Sequence, residues 1–178
     1  MNICVFCGSS KGFNPIYADS ARELGELIAT DGHTLVYGGG NIGLMGIVAD
    51  AVLEKGGNVI GVIPGFLMQK EVGHTGLTEL EIVPGMHERK KRMADLSDAF
   101  ITMPGGWGTL DETAEILTWK QLGLIQQPIG VLNVNGFFDT LLQQMNLMVD
   151  EGFLNPTNLK SVKISNSPKQ LLPLLIPQ

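Results

Sequence analysis

Apolar positions along this chain fall into two alternating kinds. Short, near-continuous runs read as buried strands: Ile3 to Cys7, His33 to Tyr37, Val59 to Ile63, Ala99 to Met103 and Ile129 to Asn133. Between them the apolar residues recur at helical spacing. Pro15 to Thr30 puts Ala18, Ala21, Leu24, Leu27 and Ile28 on one face, behind an Asn14 N-cap and a first-turn proline. Leu44 to Lys55 is a second helix, closed by Gly56-Gly57. Met86 to Leu96 is a basic helix, a further one opens after Pro104 and runs to about Leu122, and Phe137 to Val149 is another. Leu80 to Val83 reads as a short strand, Val162 to Ile164 and Gln170 to Leu175 as a small closing strand and helix. Residues 65 to 79 mix Gly, His, Thr and Lys and read as a loop or lid.

Strand-helix alternation of this kind predicts an α/β fold, a doubly wound, mainly parallel sheet with helices on both faces. With no repeat, low-complexity tract or linker, residues 1–178 are expected to form a single domain. Ligands of such sheets sit at the carboxyl ends of the strands, near the switch point. Three small-residue loops fall at those ends: Gly8-Ser9-Ser10, Gly38-Gly39-Gly40 and Pro104-Gly105-Gly106-Trp107-Gly108.

Composition narrows the function. The net charge of −6 argues against a general nucleic-acid or anionic-membrane binder, and leaves room for one local phosphate site. Glycine is in excess, 23 of 178 residues, against roughly 7% in average usage. No apolar run spans a bilayer, and Met1-Asn2 leads straight into a strand rather than a signal peptide, so a cytoplasmic protein is expected. Cys4 and Cys7 have CxxC spacing, which fits a redox pair or, more plainly, two free thiols of a reducing compartment. His33, His74 and His87 form no HxxxH or HxxE grouping, so no metal site is expected.

The segment Gly38 to Gly43 satisfies G-x-G-x-x-G, but it follows the second strand and lacks an acidic ribose anchor downstream. It is therefore not read as a dinucleotide site. Gly39 and Gly40 are expected to bring backbone amides close to a ligand; Gly43 and Gly46 serve either a ligand or helix packing. Pro104 to Glu112 is the sharpest signal, a glycine loop opening a helix whose positive end suits an anion. Thr109 and Glu112 also match Thr-x-x-Glu, a capping box that serves only to start a helix. In His87-Glu88-Arg89-Lys90-Lys91-Arg92 the helical turn lets one or two cations face a cleft, and the functional reading turns Arg89 inward with Lys91 and Arg92 in solvent.

Taken together, PGGWGTLDE (Pro104 to Glu112), MHERK (Met86 to Lys90), the opening strand with CGSS and the loop YGGGNIGLMG resemble the LOG family of cytokinin riboside 5'-monophosphate phosphoribohydrolases, whose members have often been labelled lysine decarboxylases. The similarity runs over nearly the whole chain. It implies a Rossmann-like fold, a homodimer, and hydrolysis of the N-glycosidic bond of a nucleoside 5'-monophosphate, giving an adenine-type base and ribose 5-phosphate. The family's catalytic pair matches Arg89 and Glu112. Its nucleotide-binding positions match Glu71, Lys90, Gly106, Trp107, Gly108, Thr109, Leu110, Asp111 and Thr118. Gly39, Gly40 and Ser9 join these as substrate-binding candidates from the glycine loops. Asp111 replaces the Glu more common in the family, a swap that keeps the charge.

The residue types suit that chemistry. Breaking an N-ribosidic bond builds oxocarbenium character, which a carboxylate stabilises or answers by activating water. No electron sink is needed, so no cofactor is expected. Lysine decarboxylation would instead need pyridoxal phosphate on a lysine, and no lysine sits in a recognisable cofactor motif. A different class of reading is a non-catalytic nucleotide carrier on the same fold, which binds AMP without releasing base.

Overall fold

The computed structural model describes residues 1–68 and 72–176. Seven parallel strands form one sheet in the order β4-β3-β2-β1-β5-β6-β7. They are β1 (Asn2–Phe6), β2 (Thr34–Tyr37), β3 (Asn58–Pro64), β4 (Glu79–Val83), β5 (Ala99–Thr102), β6 (Ile129–Leu132) and β7 (Lys163–Ser165). The helices are α1 (Pro15–Thr30), α2 (Gly43–Glu54), α3 (Met86–Leu96), α4 (Trp107–Gln121), α5 (Asp139–Asp150), α6 (Pro156–Lys160) and α7 (Pro168–Leu171). The expected α/β class and the parallel sheet are what the structure has.

Alternation along each strand makes two cores. Ile3 and Val5 of β1, Leu35 and Tyr37 of β2 and Ile101 of β5 pack with α1 and α2 through Leu24, Ile28 and Val48. Cys4, Phe6, Val36 and Phe100 point the other way, onto Met93 of α3 and Ile116 of α4. Strands buried on both faces explain the unbroken apolar runs. The same alternation puts the two free thiols in opposite cores, Cys7 with the first cluster and Cys4 with the second. The helices α1 and α2 approach closely at Gly25, where a Cβ would lie 2.6 Å from the Val48 carbonyl oxygen.

Local signals set most boundaries. The Asn14 side chain accepts the Ile16 amide at 3.0 Å and starts α1 at Pro15. The closing segments differ from expectation. A 3-10 turn at Val134–Gly136 precedes α5, which begins at Asp139 rather than Phe137. The helix read over Gln170 to Leu175 is α7 followed by a 3-10 turn, Leu172–Leu175. The short α6, capped by Asn155, was not expected: five residues carry no periodicity to read. Residues 65 to 78 begin with a 3-10 turn, Gly65–Leu67, and carry no longer helix or strand among the described residues.

Strand order reverses between β1 and β5, and the chain is locked there. The Gly8 amide donates to the Pro104 carbonyl at 3.0 Å. The loop ends of β1 and β5 therefore lie together at the switch point, where a doubly wound sheet opens a crevice. No helix of the described residues is long and apolar enough to cross a membrane.

Candidate active site at the switch point

Three loops converge at this crevice, and glycine is what lets them. The Gly8 carbonyl accepts the Leu44 amide at 2.9 Å, tying the β1 loop to the start of α2. Gly43 has φ +65°, and a Cβ there would lie 2.2 Å from the Ser9 carbonyl carbon. Backbone crosses backbone at this point, so Gly43 serves packing. Gly46 does likewise, 2.7 Å by the same measure from the Asn41 carbonyl oxygen.

The glycine loop after β5 ends in α4, with Gly106 at the N-cap and no side chain capping it. Thr109 sits in the third helical position, so it does not form the capping box. Its side chain is buried against Gly105, where a Cβ would fall 2.1 Å from Thr109 Oγ1. The first bond within α4 is Leu110 N–H to the Gly106 carbonyl, 3.1 Å. The amides of Trp107, Gly108 and Thr109 precede that ladder and present the positive end of the helix. A Cβ at Gly106 or Gly108 would meet nothing within 4 Å, so both border open space.

The basic run disperses as its helical spacing allows. Arg89 is 4% exposed. It crosses under the ends of β2 and β3, donating from Nη2 to the Gly38 carbonyl at 2.7 Å and from Nε to the Val62 carbonyl at 3.1 Å. Lys91 and Arg92 face solvent, paired with Asp95 and Glu81. Lys90 Nζ lies 3.1 Å from both Asp111 and Glu115. Burial pulls its pKa down, but the hydrogen bonds and charges of those carboxylates outweigh burial and raise it.

A cleft of about 200 Å³ gathers these parts. Cys7, Gly8 and Ser9 line it from the loop after β1, Met86 and Arg89 from α3, Gly106, Trp107, Gly108, Thr109, Asp111 and Glu112 from the N-cap and first turns of α4, with Met45 and Leu67 completing the wall. Among the expected residues, Arg89, Glu112, Ser9, Gly106, Trp107, Gly108, Thr109 and Asp111 are thus brought together. Others are not. Gly39 has φ +75° and packs on Ile63 and Leu80, and Gly40 pairs with Gly73; both lie in the turn whose Gly38 carbonyl receives Arg89 rather than on the cleft. Lys90 is held outside it by its two carboxylates. Leu110 and Thr118 line a second, apolar groove of about 440 Å³ between α4, α5 and α6. Glu71 lies outside the described residues.

Four lining residues were not among the expected site residues: Cys7, Met45 and Met86, which lie inside motifs the sequence shows, and Leu67, which had no signal of its own. Met86 stood three residues before Arg89 on one helix face, a legible neighbour. Gly38 is the larger omission, since only the tertiary fold shows that it seats a guanidinium. Among the described residues no three His, Cys, Asp or Glu side chains are grouped to hold a metal.

Burial, and next the negative charge of Glu112, push the Cys7 thiol far above its ordinary pKa. Cys4 is raised by the same two causes in the same order, against lowering by Ser97 and Arg89. Both thiols are therefore neutral and shielded. Iodoacetamide at pH 8 is expected to leave both unmodified in the folded protein and to label both in urea, read by intact mass. Fast labelling of the folded chain would contradict this burial.

Comparison with known proteins agrees with the geometry. A family model described as "possible lysine decarboxylase" matches residues 45–175. A probable cytokinin riboside 5'-monophosphate phosphoribohydrolase of rice, Oryza sativa subsp. japonica, is 46% identical over 170 residues, covering 96% of this chain and 70% of that one. The rice enzyme LOG is 53% identical over 152 residues, 85% of this chain and 63% of its own length. The cytokinin riboside 5'-monophosphate phosphoribohydrolase LOG1 of Arabidopsis thaliana is 48% identical over 170 residues, 96% of this chain and 80% of its own length. Among solved structures, a molybdenum cofactor binding protein from Rippkaea orientalis superposes with TM-score 0.72 at 24% identity, covering 97% of this chain and 93% of that one. A Moco carrier protein from Chlamydomonas reinhardtii gives 0.71 at 24% identity, covering 98% of each. At such identity these two speak for the shared fold alone. The family match and the curated relatives decide the question of kinship: the chain belongs to the LOG family.

Proposed function

We propose that this protein hydrolyses the N-ribosidic bond of nucleoside 5'-monophosphates, N6-substituted adenosine 5'-monophosphates included, releasing free base and ribose 5-phosphate. The observation that carries the reading is a guanidinium and a carboxylate, Arg89 and Glu112, on one small cleft beside the amino end of α4. In this reading the α4 loop amides hold the 5'-phosphate. The bond between C1' and the base nitrogen breaks, its electron pair leaves with the base, and water adds at C1'. Of that water's two protons one goes to the departing base. Glu112 stabilises the oxocarbenium-like transition state or takes the water's proton. Arg89, fixed by two carbonyls, orients the phosphoribosyl group.

Lysine decarboxylation finds no support among the described residues of the cleft. Among the described residues lining the cleft there is no lysine to bind pyridoxal phosphate. Nearby Lys90 is ion-paired and its pKa is raised, the opposite of an amine tuned to form a Schiff base.

The test is product chromatography after incubation with AMP and, separately, isopentenyladenosine 5'-monophosphate. Free base with matching ribose 5-phosphate is the expected result. Saturable AMP binding with no base released would overturn the reading in favour of a carrier.

The homodimer belongs to the same proposal. The groove between α4, α5 and α6 is walled by Leu117, Leu141, Met145 and Leu154, α5 has no buried residue, and Phe153 beside it is 86% exposed. A second copy seated there would cover this apolar surface, Leu110 and Thr118 with it. Light scattering is expected to give twice the mass of one chain; the mass of a single chain would remove the dimer.

A further inference from the structure

The described part of the segment between β3 and β4 is pinned by a histidine that the reaction does not use. His74 is 7% exposed, yet both ring nitrogens are engaged. The Gly76 amide donates to Nδ1 at 3.1 Å, so the ring proton lies on Nε2. Nε2 donates in turn to Asp50 Oδ1 on α2 at 3.0 Å. The backbone around this ring is laced to the glycine turn after β2. The His74 amide donates to the Gly39 carbonyl, and the Asn41 amide to the Val72 carbonyl, both at 2.9 Å. Gly40 and Gly73 form an antiparallel bridge between these two bonds.

That turn is the one whose Gly38 carbonyl receives the Arg89 guanidinium. The contacts therefore run without a gap from Asp50 through His74 and Gly39 to Gly38 and Arg89. We propose that His74 and Asp50 are positioning residues of the active site: their hydrogen bond clasps the 72–76 segment against the Gly38–Asn41 turn and so fixes the carbonyl on which Arg89 rests. Neither side chain lines the cleft, so the role assigned to both is positioning. The role rests on the proposed hydrolysis, and a shift of the Arg89 seat by a fraction of an ångström is enough to slow an oriented reaction.

The physics favours Asp50 as the place to test it. Its side chain is 48% exposed, so Asp50→Ala leaves no buried unpaired charge, only the His74 Nε2–H without its acceptor, and the protein is expected to fold. Asp50→Ala and His74→Ala are each expected to lower kcat by about tenfold per folded molecule, with KM changing less. Asp50→Asn keeps an Oδ1 acceptor for Nε2–H and is expected to recover most of that loss. Arg22→Ala, which breaks the exposed pair with Glu54 on the same helix, is the control and is expected to match wild type. Hydrogen exchange read by mass spectrometry over residues 38–42 is expected to speed up in Asp50→Ala and not in Arg22→Ala.

Wild-type kcat and wild-type exchange in Asp50→Ala would overturn the clasp. So would Asp50→Asn being as slow as Asp50→Ala, since a charge rather than a positioned acceptor would then be at issue. If the wild type releases no base from any nucleotide, the functional reading fails, whereas faster exchange together with weaker AMP binding in Asp50→Ala still supports the clasp, and unchanged values of both reject it.

Discussion

Glu112→Gln is expected to lower kcat by about 10²- to 10³-fold, the loss typical of removing one preorganised charge-stabilising group. KM for AMP should move far less, and the protein should fold as before. The argument begins with position. Glu112 stands in the second turn of α4, half-buried, on the same cleft as Arg89 and the β1 loop. Cys7 lines the same cleft, and there the charge of Glu112 adds, after burial, to what raises the thiol. In the proposed reaction, with the 5'-phosphate held by the α4 loop, the role assigned to this carboxylate is to stabilise the positive charge that develops at C1'. Gln has the same shape and hydrogen-bonding reach but no charge, so it removes the electrostatic term and leaves the packing. Single-turnover rates on AMP, with circular dichroism on the same samples, make the measurement. A variant within tenfold of wild type would remove Glu112 from the chemistry and leave it as a wall of the cleft.

Much of this molecule is legible before folding, and the exceptions share a cause. Buried parallel strands need unbroken apolar runs, so β1, β2, β3, β5 and β6 stand out. Caps such as Asn14 fix where α1 begins. The two specific motifs, MHERK and PGGWGTLDE, land on facing walls of one cleft. What the sequence leaves open is which way identical chemistry turns. Four cations stand together in His87 to Arg92, and helical spacing lets only one or two face inward; that Arg89 does so is decided by carbonyls at Gly38 and Val62, 51 and 27 residues away. Thr109 and Glu112 fit a capping box as well as a site, and only the observed N-cap at Gly106 separates the two. Gly39 and Gly40 look like ligand glycines because glycine signals close approach without naming the partner. Here their neighbours are Ile63, Leu80 and Gly73.

Gly38 supplies the second large prediction, because it needs room rather than flexibility. A Cβ built there would lie 2.1 Å from Arg89 Nη2 and 3.0 Å from Cζ. Arg89 is a buried guanidinium with its Nε and Nη2 already committed to two carbonyls, so moving it breaks bonds already made. Gly38→Ala is therefore expected to push the guanidinium off the carbonyl while leaving its charge and length unchanged. Arg89→Lys does the reverse: it keeps the positive charge and the free seat but loses the planar fork that spans two carbonyls. If Arg89 acts through its exact orientation, both variants lose activity, each by about 10²-fold on kcat/KM. Stability separates them from trivial damage. Arg89→Lys leaves one of the two buried carbonyls short of a donor, at a cost of about 1–3 kcal/mol, which urea unfolding reads directly. The kinetic loss must persist at urea concentrations and temperatures where each variant remains folded. Full activity in Gly38→Ala would show that the guanidinium works from another position, and the two carbonyls that hold it would then be scaffolding alone.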